Sequence, residues 1–181
     1  MKIKVLITGS NGLLGQNLIN LFLKEKQTYN IFGFSRGKNR SERTDFEYQD
    51  IDLTNKELLE EKVKEINPDF IINTAAMTNV DACENDKKNC YDLNVNVVKY
   101  LAGICTEINA HLIHISTDFI FDGTKGNYLE TDAPNPLSYY GVSKLMSEQV
   151  LQESTIDYTI LRTILVYGLV NDMSRSNIVL W

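Results

Sequence analysis

The sequence has only three cysteines, Cys83, Cys90 and Cys105, and they form no CxxC pair. Disulfide scaffolds use even numbers of regularly spaced cysteines, so we expect reduced thiols and a cytoplasmic protein. The two histidines, His111 and His114, stand at an odd spacing that places them on opposite faces of a strand. There is also no HExxH motif and no Cys/His cluster, and we therefore expect no catalytic metal.

Long apolar runs and blocks of basic residues are lacking as well. The longest apolar run near the start, Val5-Leu6-Ile7, is far shorter than a membrane span or the apolar core of a signal peptide. Eighteen lysines and arginines are outnumbered by 24 aspartates and glutamates, which gives a net charge of −6. Because nucleic-acid binding needs a clustered positive face, we expect neither a nucleic-acid nor a membrane partner.

What remains is a chain of 181 residues, 43% hydrophobic and 23% charged, which is enough apolar material for a full core. Short β-branched runs alternate along it with apolar residues at helical spacing. Strands are predicted at 2–8, 31–34, 46–48, 70–73, 112–115 and 158–161, and helices at 12–26, 58–66, 86–109 and 137–153. This alternation predicts an α/β fold with a doubly wound parallel sheet covered by helices on both faces.

A glycine-rich turn follows the first predicted strand and opens the first helix: Gly9-Ser10-Asn11-Gly12-Leu13-Leu14-Gly15. Glycines at this GxxGxxG spacing let the backbone approach a pyrophosphate, whose charge then lies at the helix N-terminus. An ordinary turn between strand and helix is the alternative. The strand–turn–helix context favours a Rossmann-like NAD(P)-binding site.

The end of the second strand bears on the choice of cofactor. An acidic residue there would bind the ribose 2′-hydroxyl of NAD, but this chain has Ser35-Arg36-Gly37-Lys38, with Arg40 and Arg43 following. A guanidinium suits a 2′-phosphate through paired hydrogen bonds, so NADP(H) is favoured and NAD(H) is possible. The alternative is a solvated basic loop.

Two further segments have open interpretations. Asp52 could bind an adenine amino group while Leu53 packs on the ring, or Asp52 could start a helix that Thr54 caps. Small side chains at the end of the fourth strand would let a cofactor lie against the backbone, or would only allow a tight strand–helix contact. These small residues are Thr74, Ala75 and Ala76.

Tyr140 and Lys144 are the acid–base candidates. They are four residues apart and share one face of a helix, and Thr117 lies at the carboxyl end of the fifth strand. Lowering the pKa of a tyrosine from about 10 to about 7 requires roughly 4 kcal/mol. An ammonium about 4 Å away supplies a comparable amount at an effective dielectric constant near 20. Lys144 could therefore make Tyr140 a proton donor, although a surface Tyr–Lys pair is the alternative.

With these motifs the chain resembles the extended short-chain dehydrogenase/reductase superfamily and, within it, the dTDP-4-dehydrorhamnose reductase (dTDP-L-rhamnose synthase) family. The most specific motif is Ser-Thr-Asp-Phe-Ile-Phe-Asp-Gly at 116–123. The resemblance is carried by residues 7–15, 73–81, 116–123, 135–136, 140–144, 162–163 and 166–168. It covers essentially the whole chain in the expected order.

The resemblance implies a role for each matching residue. Thr117 would polarise a sugar ketone, Tyr140 would donate a proton, and Lys144 would bind the nicotinamide ribose and lower the tyrosine pKa. Asn94 would be the structural asparagine that holds a water near the lysine. Substrate contacts are implied for three residues, Thr78, Asp118 and Phe119; the family often has tyrosine where Phe119 stands.

The reaction implied is hydride transfer from NAD(P)H to C4 of a 4-keto-6-deoxy sugar nucleotide, a step in dTDP-rhamnose and cell-surface polysaccharide biosynthesis. Two alternatives on the same fold are a non-catalytic regulatory NAD(P)-binding subunit and another sugar-nucleotide epimerase or dehydratase. A homodimer is a possible assembly.

The family is nearly 300 residues long, so the resemblance also implies a division of the chain. We expect residues 1–170 to form the dinucleotide-binding domain. Residues 171–181 contain a helix start near Ser174 and an apolar end with no helix stop. We expect them to begin a truncated C-terminal substrate region, with most of the substrate lobe missing.

Overall fold

Parallel strands form the centre of the structure, a computed structural model that describes residues 1–170. Within this range the strands are β1 (Ile3–Thr8), β2 (Tyr29–Ser35), β3 (Glu47–Asp50), β4 (Phe70–Asn73), β5 (His111–Thr117) and β6 (Tyr158–Thr163). Their order is β3-β2-β1-β4-β5-β6, and every neighbouring pair is parallel. The order reverses between β1 and β4, where such sheets bind ligands. The predicted doubly wound α/β fold is confirmed.

The helices follow the predicted alternation, with differences in detail. In residues 1–170 they are α1 (Leu13–Phe22), α2 (Lys56–Ile66), α3 (Val80–Asn85), α4 (Lys87–Tyr91), α5 (Val97–Ile108) and α6 (Tyr139–Gln152). None of them is long and apolar enough to cross a membrane. The predicted helix start near Ser174 and the whole of 171–181 lie outside the described residues.

The single helix predicted over residues 86–109 is wrong. The chain instead forms α4, one π-helical turn (Asp92–Asn96) and α5, and α3 precedes them. The Asn79 and Asp86 side chains accept hydrogen bonds from Ala82 N and Asn89 N, so each starts a new helix. The π turn inserts one extra residue, which apolar periodicity does not reveal.

The cap predicted for α2 is also wrong. Its N-cap is Asn55, whose side chain accepts from Leu58 N, and not Thr54. The helix ends as predicted, at Asn67 before Pro68, with Asn67 in the left-handed conformation (φ 49°).

The core lies on both faces of the sheet because side chains alternate along each strand. Val5 and Ile7 of β1 pack with Ile19 of α1 on one face. Leu6 packs with Leu101 of α5 on the other face, together with residues of α2 and α6. Each fully buried side chain of this kind contributes about 1.5–3 kcal/mol to folding. The alternation fixes which strand-end side chains share a face with α6.

Two glycines mark close approaches of backbone. Gly9 has φ +70°, and a Cβ on Gly15 would lie 2.5 Å from Gly9 O, so α1 packs directly on the turn. A Cβ on Gly141, in the first turn of α6, would overlap the carbonyl oxygen of Phe119 and lie 3.0 Å from Pro136 Cβ. Gly141 therefore lets α6 approach the segment after β5.

Replacing Gly141 tests this approach. We expect Gly141→Ala to lower the free energy of unfolding by about 1–3 kcal/mol, since the added methyl group must displace backbone. Gly103→Ala is the matched control, because a Cβ there meets open space on the exposed side of α5. That control should gain about 0.5–1 kcal/mol. Urea unfolding followed by circular dichroism measures both, and an equal response of the two variants would contradict the argument.

Candidate functional site

The carboxyl ends of β1, β4 and β5 meet at one edge of the sheet and bring the predicted motifs together. The glycine turn follows β1, the small residues follow β4 and Thr117 ends β5. Thr74 Oγ1 donates to Thr8 O at 2.7 Å. A Cβ on Gly9 would lie 2.8 Å from Ala75 N and from Thr74 Oγ1. Residues 9–15 and 74–75 therefore form one continuous backbone surface, which Ala76 extends as a half-buried residue.

The N-terminus of α1 has the features of an anion site. Its N-cap, Gly12, makes no side-chain cap hydrogen bond, and its first turn holds no acidic residue. The first N–H groups of a helix lack partners within it and carry a partial positive charge. Ser10 Oγ, beside Gly33, is buried and has no hydrogen-bond partner within residues 1–170. Leu13 and Leu14 open the helix, so this turn fits a cofactor pyrophosphate.

Asn11 holds the basic loop instead of facing outward from the glycine turn. Its amide nitrogen donates to Arg36 O at 3.1 Å and Lys38 O at 3.0 Å, and its oxygen accepts from Arg40 N at 2.9 Å. The Tyr48 hydroxyl lies 3.0 Å from the same amide nitrogen and donates to Gly37 O. The glycine turn and the basic loop are thus one hydrogen-bonded unit.

The Arg36 side chain extends from this unit into solvent, with 73% of its area exposed. Its nearest carboxylate is Asp52, at 4.0 Å. Asp52 accepts from Thr54 N at 3.0 Å and Thr54 Oγ1 at 2.8 Å, so it forms the turn before α2. Leu53 is buried in the core with 5% exposed, and Ser35 ends β2 half-buried beside the basic loop.

Thr117 and Tyr140 lie together where β5 meets the start of α6. Thr117 Oγ1 donates to Asp118 Oδ1 at 3.1 Å and accepts from Phe119 N at 3.2 Å. The Phe119 and Tyr140 rings meet edge to face with centroids 5.7 Å apart. Burial raises the pKa of Tyr140, and its hydrogen bond with Thr117 acts in the opposite direction.

The expected lowering of the Tyr140 pKa by Lys144 is not seen in this structure. Lys144 is only 2% exposed, and its Nζ points to β5, where it donates to Ile115 O at 2.7 Å and lies 3.0 Å from His114 Nε2. Burial lowers the pKa of Lys144 to about 7, although Glu148 nearby acts to raise it. Desolvation therefore dominates both groups, and the simple Coulomb argument left it out.

Asn94 lies in the π turn and fastens two parts of the site. Its side-chain oxygen accepts from Met77 N at 2.8 Å, and its nitrogen donates to Met77 O at 3.1 Å and to Ser143 Oγ at 2.9 Å. The extra residue of the turn places this side chain inside the structure, where it is 1% exposed. Asn94 therefore ties the segment after β4 to α6 beside Lys144.

A buried ion pair was missed from the sequence. Glu148, with no exposed side-chain area, accepts from Arg162 Nη2 at 2.8 Å, Arg162 Nε at 3.1 Å and Ser116 Oγ at 2.5 Å. Arg162 also lies over the Phe121 ring, 5.5 Å from its centroid. A signal was present, because α6 carries polar residues at helical spacing where a core stripe is expected. These residues are Ser143, Lys144, Ser147 and Glu148.

The histidines do not share a site. His111 Nε2 lies 2.9 Å from Thr159 Oγ1 at the start of β5, whereas His114 is buried between Asn73 and α6. Within residues 1–170, no group of three His, Cys, Asp or Glu side chains could hold a metal ion.

Comparisons with known proteins agree with this arrangement. Residues 2–179 match the family model described as RmlD substrate binding domain. The chain belongs to this family. A dTDP-4-dehydrorhamnose reductase from Aggregatibacter actinomycetemcomitans is 36% identical over 166 residues, which are 91% of this chain and 52% of that protein. Methionine adenosyltransferase 2 subunit beta from Bos taurus is 32% identical over 173 residues, 96% of this chain and 50% of that protein.

The solved structures include a relative with a bound cofactor. The dTDP-4-dehydrorhamnose reductase from Bacillus anthracis in complex with NADP superposes on this RmlD-family chain with a TM-score of 0.80 and 32% identity. The superposition covers 95% of this chain and 57% of that one. The chain spans about half the length of the curated relatives it matches.

The three residues implied as substrate contacts lie on the open side of the RmlD-family site. Thr78 is exposed before α3, Asp118 is half-buried, and Phe119 is 46% exposed. The loop that follows is held by Asp122, which accepts from Thr124, from Tyr128 Oη at 2.7 Å and from Asn135 Nδ2 at 2.9 Å. The substrate side is therefore ordered by its own hydrogen bonds but open to solvent.

The Glu148–Arg162 pair gives a stability prediction for the RmlD-family chain. Arg162→Met keeps the aliphatic stem but leaves the Glu148 carboxylate buried without its cation. We expect a loss of about 3–5 kcal/mol in the free energy of unfolding. Lys88→Met, which breaks the exposed pair with Asp92, should cost at most about 1 kcal/mol. Similar urea midpoints for the two variants would show that the buried pair is not a structural requirement.

Proposed function

We propose that this protein is an NAD(P)H-dependent oxidoreductase that reduces the C4 ketone of a 4-keto-6-deoxy sugar nucleotide, converting dTDP-4-dehydrorhamnose to dTDP-L-rhamnose. The observation that carries the proposal is the Thr117–Tyr140 pair, placed at the end of β5 on the same sheet edge as the glycine turn. The names of the relatives from Aggregatibacter actinomycetemcomitans and Bacillus anthracis support it.

The residues present fit a dinucleotide cofactor. The uncapped start of α1 would take the pyrophosphate, Thr74 and the two alanines after it would lie along the cofactor, and Lys144 would hold the nicotinamide ribose. When bound, NAD(P)H supplies the hydride. The chain itself has to place the ketone, exclude water from it and deliver a proton.

Tyr140 is the proposed proton donor. Its hydroxyl is hydrogen-bonded to Thr117, so the two hydroxyls can meet one ketone oxygen, Thr117 polarising it and Tyr140 protonating it. Burial keeps the phenol protonated, which suits an acid that must hold its proton until the oxygen becomes negative. A positioned general acid contributes typically about 10²–10⁴-fold to the rate.

Tyr140→Phe tests this role, with Tyr139→Phe as the matched control. Tyr139 precedes it in α6, and its ring faces Lys87 at 5.1 Å. We expect Tyr140→Phe to lower kcat for NADPH-dependent reduction of dTDP-4-dehydrorhamnose by about 10²-fold or more, whereas Tyr139→Phe should stay close to wild type. Reduction at the wild-type rate in Tyr140→Phe would refute the assignment.

We further propose that NADPH is preferred over NADH. The support is the exposed Arg36 guanidinium on a loop held by Asn11, beside the end of β2. The position suits the 2′-phosphate, because arginine binds phosphate through two parallel hydrogen bonds.

Arg36→Asp tests the cofactor preference. We expect the Kd for NADPH to rise at least about tenfold, with the Kd for NADH little changed, since only NADPH has the phosphate. Lys24→Asp makes the same charge change on the exposed short helix after α1 and serves as the control. Isothermal titration of both cofactors measures the ratio. Equal weakening of the two cofactors by Arg36→Asp would remove the 2′-phosphate role.

A second candidate function is an NAD(P)-binding subunit without turnover. The observation that favours it is the 32% identity with methionine adenosyltransferase 2 subunit beta over 96% of this chain. Cofactor binding without any ketone reduction by the wild-type protein would select this function.

We also propose that residues 1–170 form the dinucleotide-binding domain and that 171–181 begin a substrate region. A cytoplasmic location follows from the three free cysteines, and homodimerisation is proposed as the assembly.

A further inference from the structure

A row of buried polar side chains crosses the sheet from β1 to α6. Thr8 Oγ1 donates to Asn73 Oδ1 at 2.6 Å, and Asn73 Nδ2 lies 3.1 Å from His114 Nδ1. On the other side of the ring, His114 Nε2 lies 2.9 Å from Ser147 Oγ and 3.0 Å from Lys144 Nζ. All five side chains are at most 2% exposed. The proposed reaction uses only Lys144 of this row.

The amide of Asn73 has one orientation that satisfies its neighbours. Its oxygen accepts from the Thr8 hydroxyl and from Ala75 N at 3.3 Å, and a backbone N–H can only donate. The amide nitrogen therefore faces His114 Nδ1, which must accept. Burial holds the pKa of His114 well below its usual value, and Lys144 acts in the same direction, so the ring is neutral. A neutral ring that accepts at Nδ1 carries its hydrogen on Nε2.

The hydrogen on Nε2 decides which form of Lys144 fits beside it. Ser147 Oγ donates its own hydrogen to Lys144 O at 2.6 Å, so it accepts from Nε2–H. An ammonium at Lys144 would place a second donor against the same Nε2–H. A neutral amine offers a lone pair there and still donates to Ile115 O at 2.7 Å. The count of donors and acceptors favours the neutral amine.

The charged and titratable groups around Lys144 do not reverse this result. Glu148, one turn later on α6, and Cys90 of α4 both act to raise the pKa of Lys144. Arg162 of β6 already balances the Glu148 carboxylate through two hydrogen bonds. Tyr140 lies one turn earlier, with its hydroxyl bonded to Thr117. Burial outweighs the attraction, and the pKa of Lys144 is about 7.

We propose that His114, oriented by Asn73, is a positioning residue that holds the Lys144 side chain against β5 and controls whether its amine carries a charge. The catalytic consequence rests on the proposed function, because a charged Lys144 would stabilise the phenolate that Tyr140 becomes after giving up its proton. The control itself is a property of the chain without cofactor or substrate.

The titration of Lys144 in the ligand-free 181-residue chain tests the proposal. With ¹³C at lysine Cε, the Lys144 signal is the one that titrates near neutral pH and is missing from Lys144→Met. In His114→Gln an amide oxygen can accept from the ammonium, so we expect the midpoint to rise by about one pH unit. Thr8→Val is the control at the far end of the row, where Ala75 N still orients Asn73, and its midpoint should match wild type.

A second measurement needs no variant. The ¹⁵N shifts of the His114 ring in the wild-type chain report the tautomer, and we expect hydrogen on Nε2. An Nδ1–H tautomer, or an unchanged Lys144 midpoint in folded His114→Gln, would overturn the proposal. If His114→Gln fails to fold, the tautomer decides. Loss of the proposed reductase activity leaves both readings valid, because neither uses cofactor or substrate.

Discussion

The polar packing of α6 against β5 is the constraint on which the site depends. Burying a carboxylate costs several kcal/mol unless it is paired, and Glu148 finds its cation only when Arg162 of β6 lies opposite. A shift of α6 along the sheet would break this pair and leave Glu148 buried and charged. The pair therefore fixes the position of α6, and with it the distance of Tyr140, two turns earlier, from Thr117 at the end of β5.

Two backbone features make this position of α6 attainable. Gly141 removes the side chain that would collide with Phe119 O, so the first turn of α6 can approach the segment after β5. The π turn before α5 directs Asn94 inward, where it joins Met77 to Ser143. Each feature costs local stability, since glycine weakens a helix and a π turn has poorer geometry. Their presence here indicates that placement of the helix outweighs the local cost.

The sequence was sufficient for everything that follows from local pattern. The six strands, the helix end at Asn67 and the glycine turn could be predicted, because each depends on neighbours in the chain. The Glu148–Arg162 pair and the contact of His114 with Lys144 join residues 14 and 30 positions apart, and no local pattern encodes them. The direction of the Tyr140 pKa shift failed for the same reason, since desolvation depends on what the fold places around the phenol.

The two halves of the site differ in how far they are built before any ligand arrives. The cofactor half is held by Asn11, which joins the glycine turn to the loop of Arg36 through three backbone contacts. Binding there requires little ordering of the chain, so its entropy cost is low. The substrate half presents Thr78 and Phe119 to solvent. Cofactor affinity is therefore a property of residues 1–170, whereas selection among sugar nucleotides needs further contacts on that open side.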